Sequence, residues 1–318
     1  MPAIESRYKG LLYALPWIIG LSVFTLYPFA ASVYYSFTDF SVLQSPRFVG
    51  LSNFREIAGD EVFWKALANT FYYAALSIPA GLIVSLSLAL MMNAARRGQV
   101  LYSVIFYLPH LVPATVTAIL WMWMYNPEFG LLNSMLRPFF DFANEVRKWW
   151  DPSVVELMKA DPKVAWGPPA WLSDTTWALP SLVFMALWSV GQNAFIYLAK
   201  LQDVPQEMYE AADIDGASTL QKIRYVTLPM ISPIIFFNII MGIIGAFQVF
   251  TEAFIVTKGE GGPARATTFL PLYIWDNAFR YFRMGYASAM AWLLFLIILA
   301  LTIIAFRLSR DRVYYAGK

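Results

Sequence analysis

The chain has 318 residues, 59% of them hydrophobic and 14% charged, with a net charge of +2 and a mean hydropathy of +0.53. A water-soluble fold of this length would lack polar surface to cover itself, and a disordered chain would be far less apolar. The small net charge gives no footing for nucleic acid. The absence of cysteine removes disulfide and thiolate chemistry, and the lone His110 removes a histidine-rich metal site.

A bilayer core of about 30 Å takes about 20 apolar residues of helix. Six stretches qualify, at about 11–36, 69–92, 100–125, 177–199, 227–257 and 286–306, and Glu252 is the only acidic or basic residue inside them. The first follows Arg7 and Lys9 like a signal peptide, but its apolar run is too long and shows no small-residue cleavage site before Phe37, so it reads as a retained span. With the amino terminus inside, the inner segments are roughly twice as dense in Lys and Arg as the outer ones. Arg96, Arg97, Arg307, Arg310 and Arg312 weigh most in that asymmetry, and six crossings put both termini in the cytoplasm. Trp121, Trp123, Tyr125, Trp171 and Trp177 gather near the outer rim, as an interfacial belt does.

The one long outer loop is 127–176. Phe139, Phe142, Val146, Trp149 and Trp150 recur there at helical spacing with Arg147 and Lys148 between them, which fits a helix lying in the membrane interface and equally a loop packed on the other helices. Pro152 interrupts it, and Ser153 with Glu156 reads as a capping box for a second short helix.

The longest inner loop, 200–226, predicts a helix, a glycine turn and a second helix. Asp203 suits the N-cap, Pro205 the first turn, and Glu207 the positive end of the dipole. Gly216 stands where a left-handed C-cap residue is wanted, and Ser218 with Gln221 forms a capping box for the helix that follows. Pro229 and Pro233 mark the start of the fifth crossing. The first helix carries small Ala211 and Ala212 at its centre and acidic Glu207, Glu210, Asp213 and Asp215, so another surface can approach it closely.

Glu210-Ala211-Ala212, then Gly216, then Val226-Thr227-Leu228-Pro229 resembles the EAA motif of inner-membrane permease subunits of ATP-binding-cassette importers, with Val226 where that family usually has Ile. Phe48-Val49-Gly50-Leu51-Ser52-Asn53-Phe54, Asn69-Thr70, Gly130-Leu131-Leu132-Asn133, Trp171-Leu172-Ser173-Asp174, Leu201-Gln202-Asp203-Val204-Pro205, Gly261-Gly262-Pro263 and Met284-Gly285-Tyr286-Ala287-Ser288-Ala289 resemble the carbohydrate-uptake branch. Within it the pattern is similar to the first of two permeases, related to the larger maltose-transporter permease, and 139–166 departs from it as an extracytoplasmic insertion. The resemblance implies an all-α integral membrane protein of the prokaryotic cytoplasmic membrane, a single permease domain with six transmembrane helices and the type I ABC importer permease fold. It implies a second homologous permease, two ATPase subunits and an external sugar-binding protein as partners. It also implies a coupling loop, 203–229, in which Glu207, Glu210, Ala211, Ala212, Asp213, Asp215, Gly216, Leu228 and Pro229 meet the ATPase. The chain itself has no G-x-x-x-x-G-K-[ST] loop to cradle ATP phosphates, so ATP and Mg are expected on the partners, with no cofactor or metal on this chain and no enzymatic activity of its own.

A sugar path needs hydrogen-bonding groups and aromatic faces near mid-membrane. The candidates are Trp188, Ser189, Gln192 and Asn193 in the fourth crossing and Asn238, Gln248 and Thr251 in the fifth. Amides at such places also bond helices to one another, and both roles stay open. Glu252 lies near the outer end of its crossing, within reach of the interface, and His110 between Pro109 and Pro113 reads as structural. No Lys or Arg lies in the spans, which favours a neutral mono- or oligosaccharide over a glycerol-3-phosphate-like polyol phosphate. An ion-coupled secondary transporter would show intramembrane carboxylates and internal repeats, and a membrane enzyme a catalytic cluster.

Overall fold

The computed structural model describes residues 13–94, 98–161 and 164–310. Leu11, Arg7, Lys9, Arg96, Arg97 and Arg312 lie outside the described residues. The chain is almost wholly helical, with one two-stranded antiparallel sheet among the described residues. Four helices are long and apolar enough to cross a membrane, and six if each of two bent pairs is one span.

The first compact unit holds residues 13–63 with Tyr273–Ile297. Helix α1, Tyr13–Ser36, is apolar along its length and contains a π-turn at Ser22–Leu26. It leads into a hairpin of β1, Thr38–Ser41, and β2, Gln44–Phe48, and then α2, Ser52–Ala58. The hairpin was not expected from the sequence. Asn53 locks it in place, its amide donating to the carbonyls of Ser36 and Thr38 at 2.9 Å each. The last helix, labelled α14 by its place in the chain, is Met284–Ser309. Phe29 of α1 meets Trp292 of α14 with ring centroids 4.8 Å apart. Gly285 lies so close to the Thr38 carbonyl that a Cβ there would collide with it.

Asp60 joins these pieces. Its carboxylate accepts from the Val62 and Phe63 amides at 2.8 and 3.2 Å, and from the Tyr273 and Tyr286 hydroxyls at 2.6 and 2.7 Å. Burial works to raise its pKa, but these four donors outweigh burial and hold the carboxyl below its ordinary value.

The second unit holds Trp64–Leu272 with residues 298–310. Helix α3, Glu61–Ala94, has 34 residues, about 51 Å at 1.5 Å per residue, and begins eight residues before the expected crossing. The third expected crossing is not one rod. It is α4, Gln99–Leu111, and α5, Ala114–Met124, bent by 95°. Pro113 forces the break: Val112 before it is extended, with ψ 127°, as a residue preceding proline is driven to be. Then come α6, Leu131–Trp150, and α7, Ser153–Ala160. The expected Ser153–Glu156 capping box does not form. Asp151 caps α7 instead, accepting from the Ser153 amide at 3.0 Å and its hydroxyl at 2.6 Å, while Glu156 pairs with Lys159.

The fourth crossing is also bent, by 43°, between α8, Ala178–Leu187, and α9, Gly191–Gln202. Gly191 sits against the backbone of Phe106, where any Cβ would collide with the carbonyl oxygen. Helix α10 is Gln206–Ile214. Helix α11 runs through Thr219–Lys222, a π-turn at Ile223–Thr227, and Leu228–Ala246. The π-turn opens the helix where the Pro229 ring needs room at the preceding turn. The fifth crossing breaks again at 247–250 before α12, Thr251–Val256. Helix α13 is Leu270–Trp275. Asn69 and Thr70 of α3 hold the segment ahead of α13: the Asn69 amide donates to the carbonyls of Arg265 and Thr268, and the Thr70 hydroxyl accepts from the Leu270 amide.

Lipid tails are as apolar as leucine, so close packing and polar contacts hold such helices together rather than exclusion from water. Ala89 of α3, Ala194, Tyr197, Leu198 and Leu201 of α9, and Ile231 of α11 form one buried cluster of this kind. The expected aromatic belt is partly internal for the same reason. Trp121 and Tyr125 are buried, and the Tyr125 hydroxyl donates to the Ser181 carbonyl at 2.7 Å. Trp171 packs beside Tyr125 with its ring tilted and donates its indole N–H to Asn133 at 2.6 Å, whereas Trp123 and Trp177 are exposed.

Candidate functional site

Two features of the second unit carry chemistry: a braced protrusion, 205–227, and a polar cavity between helices.

The protrusion is built by short-range rules. Pro205 is the N-cap of α10 and Glu207 lies in its first turn. Asp203 does not cap it; that residue ends α9 and pairs with Lys200 at 3.3 Å. The run Val204-Pro205 explains the shift, because proline fixes the turn and leaves no N–H for a cap to satisfy. Gly216 adopts φ +74°, the left-handed conformation that glycine reaches without strain. The Ala217 amide donates to the Ala212 carbonyl at 2.9 Å and the Gly216 amide to Asp213 at 3.1 Å, closing the helix end. Ser218 and Gln221 make the reciprocal capping box, with the Ser218 amide donating to Gln221 at 2.7 Å.

Long-range contacts then brace the elbow. Lys222 pairs with Asp213 at 2.7 Å across the turn. The Tyr209 and Thr227 hydroxyls lie 3.0 Å apart, and Tyr209 and Val226 pack on the buried α3–α9–α11 cluster. Glu207, Glu210, Ala211 and Asp215 are exposed, Ala212 is half-buried, and Asp213 is tied to Lys222. Apolar Met208, Ile214 and Leu220 also face outward, with Ile214 88% exposed. Leu228 and Pro229 lie at the base, half-buried where α11 straightens.

The cavity consists of two adjoining pockets of about 210 and 290 Å³ that share Tyr73, Ala186, Ser189 and Val249. Ser77, Asn193 and Asn238 contribute polar groups to the first; His110, Thr117 and Glu252 contribute to the second. Of the residues expected on a path, Ser189, Asn193 and Asn238 come together here. Asn238 is buried and lines the cavity, and neither its amide nitrogen nor the buried Tyr197 hydroxyl has a hydrogen-bond partner among the described residues. Trp188, Gln192, Gln248 and Thr251 line neither pocket. Trp188 turns its ring to Trp121, Gln192 and Gln248 are exposed, and Thr251 opens α12 after the break.

His110 and Glu252, expected to be structural and interfacial, both line the second pocket. His110 stands just before the bend at Pro113, and Glu252 lies on α12 just after the break at 247–250. Tyr73 and Ser77 were missed because one polar side on an apolar helix leaves no periodic trace. Glu252 was visible as the single charge inside an apolar span. No lysine or arginine lines either pocket, and among the described residues no cluster of His, Asp and Glu is suited to a metal ion.

The fold and sequence have known counterparts. Residues 77–313 match the family described as binding-protein-dependent transport system inner membrane component. The chain is 37% identical over 316 residues to the probable ABC transporter permease protein YesP of Bacillus subtilis (strain 168), covering 99% of this chain and 94% of that one. It is 30% identical over 308 residues to the lactose transport system permease protein LacF of Rhizobium radiobacter, covering 96% and 95%. Its fold is that of a chain in a bacterial ABC transporter involved in the import of the acidic polysaccharide alginate, with a TM-score of 0.77, 23% identity and 98% of each chain covered. The chain belongs to the family of inner membrane components of binding-protein-dependent transport systems.

Proposed function

We propose that this permease carries a neutral mono- or oligosaccharide, handed over by an extracytoplasmic sugar-binding protein, through six crossings with both termini in the cytoplasm of a prokaryote. Its partners are a second homologous permease and two ATPase subunits that bind ATP and Mg. The observation that carries this reading is the braced elbow: α10 joined through Gly216 to a helix that continues without a gap into a membrane span. Force applied to Glu207, Glu210 and the exposed faces of Ala211 and Asp215 reaches α9 and α11 directly, and these two helices wall the cavity. ATP-driven closure of the ATPase pair tilts them and opens the path outward; hydrolysis reverses the tilt.

The cavity supports the substrate class. Ser77, Ser189, Asn193 and Asn238 offer donors and acceptors beside the Tyr73 ring, the combination a sugar needs. Glu252 without a facing cation disfavours a phosphate or carboxylate in the same space. The similarity to the lactose permease favours the same class. The test is uptake by membrane vesicles loaded with ATP, with labelled lactose-like sugars and sn-glycerol-3-phosphate offered in turn. Saturable uptake of a neutral sugar, unaffected by an uncoupler and lost on ATP depletion, supports the reading. Uptake that follows the proton gradient, or that takes the phosphate ester alone, contradicts it.

A further inference from the structure

Helix α6 has three differently committed sides. One is anchored to the chain itself. Asn133 accepts from the Trp171 indole at 2.6 Å and donates to the Pro127 carbonyl. Asn144 donates to the Trp166 carbonyl at 2.7 Å and accepts from its amide at 2.9 Å, and Arg147 donates to the Val164 carbonyl with its guanidinium over the Trp166 ring. A second side carries Arg137, Asp141 and Glu145, all exposed. The third is a stripe of large apolar side chains at three- and four-residue spacing, Leu131, Met135, Phe139, Phe142, Val146 and Trp149, exposed over five turns. Trp149 and Trp150 at its end are 80% and 82% exposed. The usual arrangement is thus reversed: polar groups fasten the helix to its own chain, and the apolar side is left free.

We propose that this stripe lies in the lipid bilayer, with α6 resting in the headgroup region along the membrane surface beside α5. Continuity points to lipid as the occupant. Helix α6 packs against membrane helix α5, and large apolar side chains are exposed on both and in the link between them: Ile119, Leu120 and Trp123 on α5, Phe129 in the link, and Leu131 and Met135 on α6. The paired tryptophans and the adjacent Lys148 are the side chains that settle at a headgroup boundary. The charged side borders the stripe along one edge and remains in water. The asparagine and arginine contacts act as a hinge-pin, fixing the roll of α6 so that the stripe faces the lipid. This anchoring role is independent of which solute the permease carries.

The chain contains no cysteine, so nitroxide labels can be placed singly. The sites are Phe139→Cys, Phe142→Cys and Val146→Cys on the stripe, Arg137→Cys, Asp141→Cys and Glu145→Cys on the charged side, and Trp123→Cys as the lipid reference. The transporter purified through this chain is reconstituted in vesicles of phosphatidylethanolamine and phosphatidylglycerol and read by power-saturation EPR against oxygen and a neutral nickel chelate. The expected result is oxygen accessibility several-fold above nickel at 139, 142 and 146, matching 123, with the ratio inverted at 137, 141 and 145. Nickel accessibility dominating at the stripe would place it in water and overturn the proposal. Low accessibility to both agents there would mean that a protein surface covers it, which overturns it equally. Because all label sites are exposed and independent, one misfolded variant does not remove the pattern.

Discussion

Gly191 and Gly216 are glycines for opposite reasons. Gly191 has an ordinary backbone but no space, and Gly216 has open space but a left-handed φ of +74°. Gly216→Ala therefore costs about 1–2 kcal/mol of local strain without a clash, and Gly191→Ala about 1–3 kcal/mol because α4 and α9 must part. Thermal unfolding in detergent should show a larger fall for the second, and an equal or smaller fall would contradict the packing of α9 on Phe106. Asp60 makes a separate prediction. Its lowered pKa means that its contribution is complete above about pH 4 and is lost as pH falls through the lowered value. Asp60→Asn should lose about 1.5 kcal/mol at pH 7, the low end for bonds to a charged acceptor because the group is partly in water. The gap from the unaltered protein should close as the pH falls below about 4. A gap that stays constant with pH would mean that Tyr273 and Tyr286 do not favour the carboxylate over the acid.

At the scale of elements, the proposed function has the elbow transmit force only while its base is stiff. Tyr209→Phe removes the hydroxyl contact to Thr227, and Asp213→Ala removes the ion pair to Lys222, with little loss of apolar packing in either. Each should cost about 0.5–1.5 kcal/mol of stability yet lower the solute moved per ATP hydrolysed, measured in proteoliposomes with ATPase activity in parallel. An unchanged ratio would show that the brace does not matter to coupling. The elbow was largely legible in the sequence because caps and glycine turns are local. Gly216, Ser218 and Gln221 fall where expected, while Asp203 misled because a carboxylate before a helix also suits the end of the helix before it. Of the helix 131–150, the apolar spacing showed only the part from Phe139 onward, with a packed loop left open. The hairpin 38–48 was not legible, since Gln44, Pro46 and Arg47 break any two-residue alternation. The bends at 112–113 and 188–190 and the break at 247–250 were hidden inside apolar runs, where hydropathy measures length and is blind to direction.

In the proposed function the whole molecule is a gate without an engine. Its cavity has polar groups and is walled by helices that lead to the braced elbow, and the sequence holds no phosphate-binding loop. His110 and Glu252 line the 290 Å³ pocket beside backbone breaks that hydropathy does not reveal. Glu252→Gln should preserve membrane insertion and change the apparent affinity for sugar by a few-fold, read from the concentration dependence of uptake; an unaltered affinity would place the solute path away from the 290 Å³ pocket. The most direct test of the account is solute flux in proteoliposomes containing this chain alone, the assembled complex, and complexes bearing Glu210→Lys or Gly216→Asp. The account predicts flux only with the unaltered assembled complex and ATP, with both variants inserted but uncoupled. Sustained flux by the chain alone, or full ATP-driven flux in both variants, would contradict it.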